Sequence, residues 1–236
     1  MNYCLADNQI AIWSADFATQ AFAIDICYAL LNKQEQAQAA RFKFTHLSQY
    51  YIQAHGLLRF LLATYLNENP AQLVFAKAAQ GKPYLVDYPQ VQFNISHSDS
   101  QLLIAVGKYA PLGVDIELIK PRKTLADLVL RCFAPCEQSY WQALPQEIQT
   151  KVFYQFWTRK EAFVKATGLG IALGLQHCVV NPIKPHYFLT VPAQCGKADA
   201  WYCTDLAINN DYSAALVTRS QRLQVVYHDL SALHLK

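Results

Sequence analysis

Apolar residues recur along this chain at two periods, and the switches between them mark out its elements. Residues 9–17, QIAIWSADF, alternate weakly between apolar and polar and predict a first strand. From 18 to 67 the spacing is helical, in the runs ATQAFAIDICYALL, QEQAQAARFKF and SQYYIQAHGLLRFLLATYL, until Asn69-Pro70 stops the last one. Past Pro70 the period shortens. LVFAKA, KPYLV, VQFNIS, QLLIAVGK and LGVDIEL read as short strands, punctuated by Gly81-Lys82-Pro83, Tyr88-Pro89, Asp99-Ser100 and Ala110-Pro111.

Beyond Lys120 the order repeats. TLADLVLRCF, CEQSYWQAL and EIQTKVFYQFWTRKEAFVKATG are helical, and HCVV, HYFLTV, AWYCTDLAI, YSAALVT and LQVVYHDL are strand-like. Helices followed by a meander, twice over, predict an α+β fold of two similar lobes in pseudo-twofold arrangement, residues 1–118 and 119–236. Each lobe packs helices on a mainly antiparallel sheet. No linker separates them, so they should pack closely.

Composition narrows the function. Charged residues make up only 16% of the 236 and apolar types 53%, so much of each helix must be buried. No apolar run is long enough for a membrane span, and the N-terminus lacks the basic start of a leader, which points to the cytoplasm. The seven cysteines are scattered without a CxxC pair, arguing against disulfides and zinc and for reduced, mostly buried thiols. A net charge of +3, with no basic cluster larger than the Lys120, Arg122, Lys123 run, gives no sign of nucleic acid.

Against that background a few polar groups stand out. In the helix through Phe156–Gly170, Val152, Phe153, Phe156, Phe163 and Val164 share one apolar sector. Glu161 and Lys165 occupy another strip one turn apart, with Trp157 a turn earlier, either as a solvated ion pair or as a site. Lys160 projects into the apolar sector and needs an acceptor there. Gly168 and Gly170 end the helix, so they are a C-cap and not a phosphate loop. On the strand GVDIE, Asp115 and Glu117 point to one face while Val114 and Ile116 enter the core. Paired carboxylates on a charge-poor chain suggest a bound cation, and oxygen ligands of this kind suit Mg²⁺. Ser96 and Ser98 flank His97 in a turn that could donate to a phosphate, and Lys82 sits in another turn.

Seen together, RF at Arg41, AHGLLR ending at Arg59, GKP at Gly81, FNISHS at Phe93, GVDIE at Gly113, CFAPCE ending at Glu137 and FWTRKEAFVK from Phe156 are similar to a known family. The chain resembles the 4′-phosphopantetheinyl transferases of the monomeric, two-lobed class typified by the enzyme that activates surfactin synthetase. The resemblance implies transfer of phosphopantetheine from coenzyme A to a serine of an apo acyl or peptidyl carrier protein, releasing adenosine 3′,5′-bisphosphate. It implies Mg²⁺ on Asp115, Glu117 and Glu161, charge neutralisation by Lys165, and Glu161 or Glu137 as the base. Arg41, Arg59, Lys82, Ser96 and His97, with Lys165, would receive coenzyme A. Relatives often carry basic residues before the Arg41 position, where this chain has QEQAQAA, so the 3′-phosphate should rest more on Lys82, His97 and Arg59. Two rival readings are a metal-dependent phosphodiesterase or nucleotide hydrolase, which uses the same acids with a water nucleophile, and a non-catalytic module that keeps the coenzyme A pocket and has no need of the metal acids.

Overall fold

The computed structural model describes residues 5–19, 22–220 and 223–233, apart from the Ile171 side chain. Cys4, and Gln20 and Ala21 of the first helical run, lie outside the described residues. In chain order the elements are β1 (Gln9–Asp16), α1 (Ile24–Ala29), α2 (Lys33–Ala39), α3 (Thr45–Leu66), β2 (Phe75–Lys77), β3 (Pro83–Leu85), β4 (Val91–Ser98), β5 (Gln101–Lys108) and β6 (Leu112–Leu118). They continue with α4 (Leu125–Cys132), α5 (Pro135–Gln142), α6 (Gln146–Thr167), β7 (Val179–Val180), β8 (Phe188–Thr190), β9 (Tyr202–Asp205), β10 (Tyr212–Thr218) and β11 (Gln224–Asp229). The strands form two main sheets, ordered β11-β1-β5-β4 and β6-β10-β9, and two ribbons, β2-β3 and β7-β8. All of these pairs are antiparallel except β1 with β11, in agreement with the α+β expectation.

The halves are interleaved more than a division at residue 118 implies. β6, the last strand of the first half, pairs with β10 of the second, and β11 from the end of the chain pairs with β1. Burial explains why β1 reads so weakly as an alternating strand. Ala11, Trp13 and Ala15 face the core beneath α3, while Ile10 and Ile12 face a second core between the sheets, so both faces are apolar. β5 behaves the same way, with Leu102, Ile104 and Val106 on one side and Leu103 and Ala105 on the other. A third core packs Phe153, Phe156 and Phe163 of α6 on Cys203, Ala215 and Val217 of the second sheet.

Two 22-residue helices, α3 and α6, therefore back the two sheets. α6 begins after Pro145 and ends at Gly168, whose φ of 68° is the left-handed conformation glycine adopts without strain. Its approach to β6 is unusually close. A Cβ at Gly113 would stand 2.2 Å from the Ala162 carbonyl oxygen and 2.3 Å from the Ala166 amide nitrogen, so glycine is required where the strand crosses the helix. Glycine on the strand and two alanines on the helix bring the carboxylates of β6 beside Glu161 and Lys165.

Candidate active site

A cavity of about 380 Å³ opens where four elements meet. α3 contributes Tyr51, Ala54 and His55; β4 contributes Ile95, Ser96 and His97; β6 contributes Asp115, Ile116 and Glu117; α6 contributes Trp157, Glu161 and Lys165. Six of the residues singled out from the sequence thus share one cavity, drawn from both lobes: Ser96, His97, Asp115, Glu117, Glu161 and Lys165. Period-two geometry delivers the β6 acids, since Val114 and Ile116 are spent in the inter-sheet core.

Asp115 is 4% exposed, and its Oδ1 accepts from Ser96 Oγ at 2.9 Å and from Lys165 Nζ at 2.7 Å. Its Oδ2 is buried with no hydrogen-bond partner. Burial pushes this carboxyl up, against the pull of Lys165 and Ser96. Lys165 also donates to Ser96 Oγ at 2.8 Å. Glu117 accepts from Ser98 Oγ at 3.3 Å; burial and the Asp115 charge raise it, while Arg122 and hydrogen bonds from Ser98 and Trp157 oppose the rise. Glu161 is raised as well. Burial first, then the charges of Asp115 and Glu117, lift it to about 7 against the pull of Lys165. Three carboxylates that disfavour one another's ionisation, one with an orphaned oxygen, make a donor set suited to a hard divalent cation. Among the described residues no three His, Cys, Asp or Glu side chains stand in metal-holding geometry, and the Lys165 ammonium is what neutralises Asp115 here.

Ser96 has less to offer a phosphate than its sequence context suggests. A hydroxyl has one proton, and that of Ser96 goes to Asp115, while its oxygen accepts from Lys165 and from the Ile116 amide at 3.3 Å. His97 remains exposed at the cavity; partial desolvation and then Lys165 hold it below the usual histidine range. Tyr51 and His55 were not among the sequence-derived candidates. Their rings lie 4.0 Å apart, and burial pushes His55 down to about 4, so the imidazole is neutral near pH 7. Their spacing of four on a helix whose next turn is Leu-rich was the available signal.

Four other candidates lie elsewhere. Glu137 is fully buried: Oε2 accepts from the Ala134 amide at 2.7 Å, Oε1 from the Val180 amide at 2.7 Å, and Lys160 Nζ stands 2.7 Å from Oε2. A carboxylate sealed among two amides and an ammonium cannot take a substrate proton, so the reading of Glu137 as a base is corrected to a helix cap and ion-pair partner. Lys160 finds the acceptors its position demanded, adding the carbonyls of Leu175 and Cys178. Arg59 is 1% exposed, with Nε on Glu35 at 2.7 Å, NH1 on the carbonyls of Pro70 and Leu73, and its plane 4.8 Å from the Phe75 ring centroid. Its coenzyme A role is corrected too, and the acidic residue in QEQAQAA turns out to be its counter-charge. Lys82 donates to the carbonyls of Leu112 and Ala166, both at 2.9 Å, clamping the end of α6 to the start of β6, and burial lowers it to about 8. Arg41 is exposed just beyond α2 and does not line the cavity. The described cysteines are all free and buried apart from Cys136, as composition suggested.

Residues 111–217 match the 4′-phosphopantetheinyl transferase superfamily, and residues 15–108 match the N-terminal domain described for a 4′-phosphopantetheinyl transferase. The chain is 32% identical over 218 residues to the 4′-phosphopantetheinyl transferase HetI of Nostoc sp., covering 91% of this chain and 90% of that one. It is 40% identical over 153 residues to a putative 4′-phosphopantetheinyl transferase of Synechocystis sp., covering 64% and 62%. Against the 4′-phosphopantetheinyl transferase Sfp of Bacillus subtilis the figures are 29% over 147 residues, 62% and 64%.

Proposed function

Because the chain belongs to the 4′-phosphopantetheinyl transferase superfamily, we propose that the cavity between α3 and α6 receives coenzyme A and passes its phosphopantetheine to a serine of an apo carrier protein. The observation that carries this reading is the meeting of Asp115 and Glu117 from β6 with Glu161 and Lys165 from α6 in one cavity. In the reaction the serine oxygen forms a bond to the pantetheine-side phosphorus. The bond from that phosphorus to the bridging oxygen breaks, and adenosine 3′,5′-bisphosphate leaves. Glu161, directly or through a water beside it, accepts the serine proton. Lys165, one turn on, places positive charge where the leaving diphosphate oxygen gains negative charge. His97 at the rim supplies a donor for phosphate.

Asp115, Glu117 and Glu161 would hold Mg²⁺. The orphaned Asp115 Oδ2 and the raised carboxyls fit a cation there. When bound, the ion supplies charge neutralisation and orientation of the diphosphate. The protein would act as a monomer in the cytoplasm. Among the described residues no helix is long and apolar enough to cross a membrane.

Mixing the purified protein with apo carrier proteins, coenzyme A and Mg²⁺ should add one phosphopantetheine to the carrier by mass. EDTA and Asp115→Asn should each abolish the gain. Release of the bisphosphate nucleotide without any carrier would favour a hydrolase, and no gain with fatty-acid, polyketide or peptide carriers would overturn the reading.

A further inference from the structure

β6 has a ladder partner on one side, β10. On its other edge the amides of Val114, Ile116 and Leu118 are buried or half-buried and need acceptors. They find them in side chains of β4. Asn94 Oδ1 accepts from Val114 at 2.9 Å, Ser96 Oγ from Ile116 at 3.3 Å and Ser98 Oγ from Leu118 at 3.0 Å. Every second side chain of one strand meets every second amide of the other, so a row of side chains replaces a backbone ladder and joins the two main sheets.

The three rungs differ in one respect. Ser96 and Ser98 each have a hydroxyl proton left after accepting from the amide, and each gives it to the acid preceding that amide. Ser96 donates to Asp115 and Ser98 to Glu117 Oε2. Asn94 has no acid opposite it, because the residue before Val114 is Gly113. Ser98 therefore grips Glu117 twice, by its side chain and by the next peptide, from a strand in the other sheet. Ser98 lies outside the lining of the cavity, so it can act on a bound ion only through Glu117.

We infer that Ser98 is a positioning residue for divalent-cation binding, orienting the Glu117 carboxylate, whereas Asn94 on the same seam serves stability alone. The inference rests on the reading of Glu117 as a metal acid. Groups that orient a ligand through one hydrogen bond commonly control metal affinity by about 10- to 100-fold, and the length of this contact places Ser98 near the lower end.

The test is a Mn²⁺ titration of the full chain with coenzyme A present, followed by electron paramagnetic resonance, alongside thermal melting without metal. Ser98→Ala should weaken Mn²⁺ binding about 10-fold, and Ser98→Thr, which keeps the hydroxyl, should restore it. Should Ser98→Ala fail to fold, Ser98→Cys, a weaker donor of similar size, carries the same expected loss. Asn94→Ala should lower the melting temperature and leave Mn²⁺ affinity of the folded protein unchanged. Unchanged affinity in Ser98→Ala, or an equal loss in Asn94→Ala, would overturn the inference. Glu117→Gln separates the two levels: if it binds Mn²⁺ as the wild type does, the metal reading itself is wrong. If Glu117→Gln loses the ion and Ser98→Ala does not, the role of Ser98 alone is refuted.

Discussion

α6 carries two lysine–carboxylate pairs of the same length, Lys160 with Glu137 and Lys165 with Asp115, both at 2.7 Å. In sequence the lysines are five residues apart within one motif. In space they face different worlds. The Lys160 pair is wholly excluded from water, with further bonds to two carbonyls and two amides. The Lys165 pair has a side chain 28% exposed, an acid with an unpartnered oxygen, and a cavity in front of it. A closed network holds a fold together, whereas one with unfilled valences is ready for a ligand.

The largest effect should come from breaking the closed pair. Lys160→Ala strands the Glu137 carboxylate in the core beside Phe133, and removing one partner of a buried ion pair costs about 3–5 kcal/mol. Denaturant melts should show that loss, and any fall in transfer activity should track the unfolded fraction. Lys165→Ala should give the opposite signature. The stability change should be about 1 kcal/mol, because the lysine is partly solvated, while turnover on an apo carrier should fall about 10²- to 10³-fold, the usual consequence of removing transition-state charge stabilisation. If Lys165→Ala unfolds the protein and Lys160→Ala leaves it stable but slow, the contrast between the two pairs is wrong.

The same contrast shows what could be read from the chain. Element order was legible because the apolar period changes at Pro70 and again after Lys120, and strands at LVFAKA, VQFNIS, LGVDIEL and YSAALVT all form. Asp115, Glu117, Glu161 and Lys165 were legible because period two on a strand and period four on a helix fix which side chains travel together. The exchange of β6 and β11 between lobes was not, since local patterning says nothing about which edge a strand joins. Nor were the fates of Glu137, Arg59 and Lys82. Their partners are backbone groups at Val180, Leu73 and Leu112 and the Glu35 carboxylate, remote positions that only folding brings near. A charged residue in a motif looks the same whether its acceptor is a ligand or the chain itself.

The smallest effect tests the open site through protons. Burial and two neighbouring charges raise Glu161 from an ordinary value of 4.5 to about 7. Between those two pH values the unfolded chain has released this proton and the folded chain still holds it. Raising the pH through that window therefore favours unfolding, and the penalty is complete above pH 7. Glu161→Gln has no such proton to lose. Without divalent cations its melting temperature should match the wild type near pH 4.5 and gain on it up to pH 7, then run parallel. Solvent at the cavity screens the effect, so it should amount to about 1 kcal/mol, or about 2–4 °C for a chain of this size. Adding Mg²⁺ with coenzyme A should stabilise the wild type and erase the gap. A gap that stayed constant from pH 4.5 to 8 would mean that Glu161 is an ordinary solvated carboxylate, and the proposed base would have to be sought elsewhere in the cavity.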